Sequence, residues 1–93
     1  MDGMEMNRIG FTGLDAGVAA EVRSEIARSR TASVKGIAEN LGIRRATLSS
    51  RVNGHAPFTP SLLAAVAAEL GTSASSIIAR AERAIESAEA VAS

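Results

Sequence analysis

Residues 33–52 read SVKGIAENLGIRRATLSSRV, and the spacing of apolar residues around one glycine in this stretch decides the fold. Ser33 carries a hydroxyl able to accept from the free amides at a helix start, which predicts a helix over about Val34–Asn40. Gly42 follows Leu41, where that helix must stop. A glycine takes the left-handed conformation of a sharp turn, which costs a residue with a side chain about 1 kcal/mol or more. The next helix is predicted from near Arg44 to around Asn53, with Gly54 ending it and Pro57 forcing an extended connection. Ile37, Leu41, Ile43, Leu48 and Val52 then face inward, and Ala38 is the small residue where the two helices approach most closely. Two short helices crossing at a fixed angle need apolar contacts, a small residue and a turn glycine at these offsets. The stretch is therefore read as a helix-turn-helix.

The residues left pointing outward from its second helix are Arg44, Arg45, Thr47, Ser49, Ser50 and Arg51. In the major groove of DNA, arginine pairs with guanine, hydroxyls bond several bases, and the threonine methyl meets that of thymine. Arg44, Arg45, Thr47, Ser49 and Ser50 are accordingly the base-reading candidates, Thr47 having a phosphate as its other candidate partner. Arg28, Arg30, Lys35, Arg51, Asn53 and His55 surround them as candidates for backbone contacts that set register. The amides at Ser33 and Val34, at a helix start, are candidates to receive a phosphate. Each assignment has a plainer rival: a solvated face for the arginines, turn filler for His55, and pairing with Glu25 for Arg28 and Arg30.

The chain has no net charge, which by itself argues against a polyanionic partner. The charges are unevenly placed, however. Residues 1–27 are net −3 and residues 56–93 net −2, whereas residues 28–55 carry Arg28, Arg30, Lys35, Arg44, Arg45 and Arg51 against Glu39 alone, a surplus of +5. One basic face on a neutral protein is the simplest picture.

Ninety-three residues suit one compact domain, and 46% hydrophobic with only 2% aromatic residues predicts a core of Ala, Leu, Ile and Val. The absence of cysteine and the single histidine leave neither a disulfide framework nor a metal site. Without tyrosine, paired acids or a phosphate-cradling glycine loop, an enzyme is the least supported class, and no cofactor or small-molecule ligand is expected. No apolar run approaches the roughly 20 residues of a membrane span, and MDGMEMNRIG lacks the basic-then-apolar order of a secretory signal. A cytoplasmic protein without membrane contact is expected.

Working outward, a first helix is predicted from Leu14 to about Arg30, with Leu14, Val18, Val22 and Ile26 on one face. Thr59 caps a fourth-placed helix with Pro60 in its first turn, which buries Leu62, Leu63, Val66, Ala67 and Leu70 before Gly71. In the last helix Ile77, Ala81, Ala84, Ala88 and Val91 form one stripe, with Ile78 and Ile85 beside it. Ile77 or Ile78 is expected to close the core. The expected organisation is a flexible segment over 1–13 anchored by Ile9 and Phe11, a domain over 14–80, and an extension of the last helix over 81–93. The fold class is all-α with five helices.

The segment TASVKGIAENLGIRRATLSSRVNGHAPFTPSLLAAVAAELG resembles the Cro and phage-repressor (XRE) family of DNA-binding domains, over roughly residues 14–80. ATLSSRVNG is similar to the end of that family's recognition helix, and LLAAVAAELGTS to its fourth helix and following turn. Arg51 and Val52 depart from the pattern, since many relatives have an apolar residue followed by an acid there. The resemblance implies a five-helix bundle of the phage-repressor type, whose third helix enters the major groove of double-stranded operator DNA. It also implies binding as a homodimer, because two recognition helices about 34 Å apart fit successive major grooves. Ile85, Ala88 and Val91 are the candidate dimer contacts.

The function so implied is a Cro-like or immunity repressor acting at the host nucleoid. Nine arginines to one lysine, with abundant alanine, is what a GC-rich genome encodes, so an actinobacterium or one of its phages is the expected source. Two alternatives are an antitoxin that represses its own operon, and a protein-interaction module built on the same scaffold.

Overall fold

The computed structural model describes residues 13–92, with side chains through residue 89. The segment expected to be flexible, with Ile9 and Phe11, lies outside the described residues apart from Gly13, as does the side chain of Val91. Five helices follow one another among the described residues: α1 (Leu14–Arg28), α2 (Val34–Leu41), α3 (Arg45–Val52), α4 (Pro60–Glu69) and α5 (Ala74–Ala92). The architecture is all-α. The most extensive pairing is between α1 and α5, and the short helices α2 and α3 pack on each other, on α4 and on α1.

Helix boundaries have identifiable local causes. Ser33 accepts from the Gly36 amide at 3.0 Å and opens α2, and Thr59 accepts from Leu62 at 3.2 Å and opens α4 ahead of Pro60. Gly42 has φ 69° and ψ 31°, and the Ile43 amide reaches back to the Ala38 carbonyl while that of Gly42 reaches Glu39. This pair of bonds satisfies carbonyls that the end of α2 would otherwise leave open. The same pair recurs after α3, around Gly54, and after α4, around Gly71.

α1 ends two residues before the predicted Arg30. Ser29 is extended, at φ −80° and ψ 141°, and its hydroxyl accepts from the amides of Thr31 and Ala32. That local turn offers the backbone an alternative to another helical turn. α3 likewise begins one residue later than Arg44, which occupies the cap position in extended conformation.

All five helices contribute to one apolar cluster: Val18 and Val22, Ile37 and Ala38, Leu48 and Val52, Leu63, Val66 and Ala67, Ile77 and Ala81. No polar or charged residue is buried among the described residues. Val22, Leu48, Val66 and Ile77 are wholly enclosed, each worth about 1.5–3 kcal/mol of apolar burial. Of the inward residues predicted for the helix-turn-helix, Ile37, Ala38, Leu48 and Val52 are buried, while Leu41 and Ile43 pack on the cluster from its margin. Ile77 closes the core and Ile78 lies at its edge.

The last helix differs from its predicted stripe beyond Ala81. Ala84 and Ala88 are exposed, and it is Ile85 that turns toward α1. Gly17 is the reason: without a side chain, it lets α5 approach until a Cβ at that position would stand 3.3 Å from Ala81 Cβ and 3.4 Å from Ile85 Cδ1. The core thus reaches past residue 80, with Ala81 fully buried in an unbroken α5. Among the described residues no single helix is long and apolar enough to cross a membrane; α4 and α5 pass only when taken together, and they bend by 100° at their junction.

Candidate nucleic-acid interface

α3 is eight residues long and is held by one face. Leu48 and Val52, one turn apart, are buried, and the residues before Leu48 face away from the core. Arg44, Arg45, Ala46 and Thr47 are exposed, whereas Ser49 and Ser50 are half-buried. The Ser49 hydroxyl also accepts from the Asn53 amide nitrogen at 3.1 Å, which leaves its own proton as the group to offer a partner. Ala46 was not among the predicted readers, because alanine carries no polar group to signal a contact. Its exposure between Arg45 and Thr47 nevertheless places it on the same outer surface.

The N-terminus of α3 has no side-chain cap, and Arg44 and Arg45 stand at that end. Its C-terminus is closed completely. The last four carbonyls, those of Ser49, Ser50, Arg51 and Val52, accept respectively from the Asn53, His55 and Gly54 amides and from Arg23 Nη1 of α1, the last at 2.7 Å. Arg23 has no role in the sequence analysis, since a partner 29 residues away leaves no local signal.

Around this helix, Ser33, Lys35, Asn53 and His55 are exposed and Val34 is half-buried at the start of α2. Arg30 is exposed on the α1–α2 connection. Arg28 is paired: its guanidinium donates to the Glu25 carboxylate, which Arg80 of α5 also contacts. The Arg28 hydrogen bond holds the Glu25 carboxyl below its usual range, the charges of Arg28 and Arg80 add to this, and partial burial opposes it. No family model, curated protein or solved structure matches the chain.

Arg51 and Val52, at the last turn of α3, take different places. Val52 fills the core, and Arg51 lies half-buried beside it with its Nε enclosed and without a hydrogen-bond partner. Arg51 therefore sits at the border of the outward face. Of the candidate dimer contacts, Ala88 is exposed, while Ile85 is half-buried, with its Cδ1 set against Gly17 of its own chain.

The outward surface thus has arginines and a threonine at one end of a short helix, hydroxyls along its middle, and Asn53 and His55 just beyond its other end. Such a surface suits a polyanion with hydrogen-bonding edges better than an apolar ligand.

Proposed function

We propose that this chain is a sequence-specific, double-stranded DNA-binding transcriptional regulator of the Cro and phage-repressor type, a repressor that occupies its operator with α3 in the major groove. One observation carries the reading. Leu48 and Val52 lock one face of α3 into the core while Arg44, Arg45 and Thr47 stand exposed on a helix entered through the left-handed turn at Gly42. These are the residue types that read base edges, on the outer side of a helix whose inner side is packed in the core.

Lys35, Arg30 and the capped start of α2 supply phosphate contacts in this reading, and the +5 surplus of residues 28–55 supplies the attraction. Arg28 adds to them only when Glu25 releases it. Two copies bind together, so that two recognition helices meet successive turns of the duplex.

Selection from a pool of random duplexes tests the proposal. The expected outcome is a two-fold symmetric site whose affinity falls steeply with added salt. Recovery of no preferred sequence, together with binding insensitive to salt, would reject it in favour of a protein-interaction module.

A further inference from the structure

We infer that Arg23 of α1, which reaches no base, is a positioning residue that sets the angle of α3 and with it the discrimination between operator and random DNA. The inference rests on the DNA-binding reading above. Its starting point is the bond from Arg23 Nη1 to the Val52 carbonyl at 2.7 Å.

Ser49, Ser50 and Arg51 are half-buried beside Leu48 and Val52, and Ile43 packs on the core just ahead of α3, but among the described residues no other hydrogen bond ties α3 to another helix. α3 is two turns long, and its two buried side chains, Leu48 and Val52, lie one above the other along a single line. Apolar contacts along one line resist separation but are non-directional, so the helix retains freedom to roll and tilt about it. At the N-terminal end no side-chain cap fixes the backbone. At the C-terminal end, the amides of Asn53, Gly54 and His55 bond carbonyls of α3 itself, which shapes the turn without tying the helix to the rest of the fold. The Arg23 bond is different in kind: it is directional, and it joins the last carbonyl of α3 to a helix anchored by Val22, which is wholly enclosed next to Arg23.

The leverage is considerable. An eight-residue helix is about 12 Å long, so a rotation of about 10° at the clamped end displaces the other end by about 2 Å. The displaced end is the one that carries Arg44 and Arg45. A shift of that size takes an arginine out of hydrogen-bond range of a base edge, which tolerates only a few tenths of an ångström. Contacts to phosphates, made by long flexible side chains around the site, absorb it. Loss of the clamp should therefore fall on operator binding and largely spare random DNA.

The test compares wild type, Arg23→Met, Arg23→Lys and, as a control that removes the same charge elsewhere, Arg83→Met. Each full-length chain is titrated with the selected operator and with a random duplex over a salt series, well below its melting temperature. Arg23→Met is expected to lose about tenfold on the operator, the discrimination carried by one good base contact. On random duplex it should match Arg83→Met, with an unchanged salt slope. Arg23→Lys, which keeps a donor, should recover part of the operator affinity. Equal losses on both duplexes with the slope reduced by about one would make Arg23 a phosphate contact and overturn the inference. So would operator binding in Arg23→Met equal to wild type. A wild-type chain that selects no sequence at all rejects the DNA-binding reading itself, which is a separate outcome.

Discussion

Gly17 of α1 faces Ala81 of α5 so closely that a Cβ on the glycine would stand 3.3 Å from the alanine's own. The alanine methyl is fixed to its backbone and cannot turn aside, so this contact sets the separation of the two longest helices. Gly17→Leu should force them apart at a cost of about 1–3 kcal/mol, typical of overpacking. A domain of this size would then melt about 4–8 °C lower per kcal/mol. Gly17→Ala meets the same contact but gains about 1 kcal/mol of helix propensity, and should lie close to wild type. An unchanged melting temperature for Gly17→Leu would show that α1 and α5 are not closely seated.

Gly42 tests the turn between α2 and α3 in isolation from packing, because no atom lies within 4 Å of the position a Cβ would take. Its φ of 69° is the whole of the penalty. Gly42→Ala should lower stability by about 1 kcal/mol, and Gly42→Asn by less, since asparagine tolerates the left-handed region. Urea unfolding should show a lower midpoint at unchanged slope.

The short helices α2 and α3 and the turn between them were legible because their signals are local. Ser33, Gly42, Gly54, Thr59 and Pro60 each act within four residues of themselves, and each appears in the role its chemistry implies. Tertiary relations were less so. The stripe predicted for α5 continues to Ala84, but the structure turns Ile85 inward because Gly17, 68 positions earlier, makes room for it. Gly17 within an otherwise strong helix was the available signal. The clamp by Arg23 had none, since its acceptor is a backbone carbonyl, which every residue possesses. The early stop of α1 was readable in principle: Ser29 is a residue type that bonds nearby amides, and here it bonds two.

Glu25 links stability to pH. Its carboxyl titrates below the usual range, chiefly through the Arg28 hydrogen bond. A carboxyl with a lower pKa in the folded than in the unfolded chain stabilises the fold above the unfolded value, about 4.3, and ceases to do so as pH falls through the folded value. Wild type should therefore exceed Glu25→Gln in stability at neutral pH, and the gap should close in acid. Arg28 and Arg80 keep 63% and 42% of their side-chain surface in solvent, which limits the gap to at most about 1 kcal/mol. The same variant frees Arg28, so its affinity for random duplex should rise at neutral pH. Melting curves at pH 7 and pH 3.5 that differ by the same amount for both proteins would contradict the assignment.

Lys35 and Arg45 are both exposed cations near the same motif, and the proposed function assigns them different work. Lys35 lies on α2, beside the capped helix start, where a phosphate contact carries no sequence information. Lys35→Ala should weaken operator and random duplex alike and reduce the logarithmic salt slope by about one. Arg45 opens α3, at the end directed toward base edges in this reading. Arg45→Ala should lose about 1–3 kcal/mol on the operator and relax the preference at one base pair, with little change on random DNA. Neither change should move the melting temperature appreciably, since both side chains stand outside the core. If Arg45→Ala instead weakened both duplexes equally, α3 would be a backbone-binding helix, and base readout would have to be sought elsewhere on the surface.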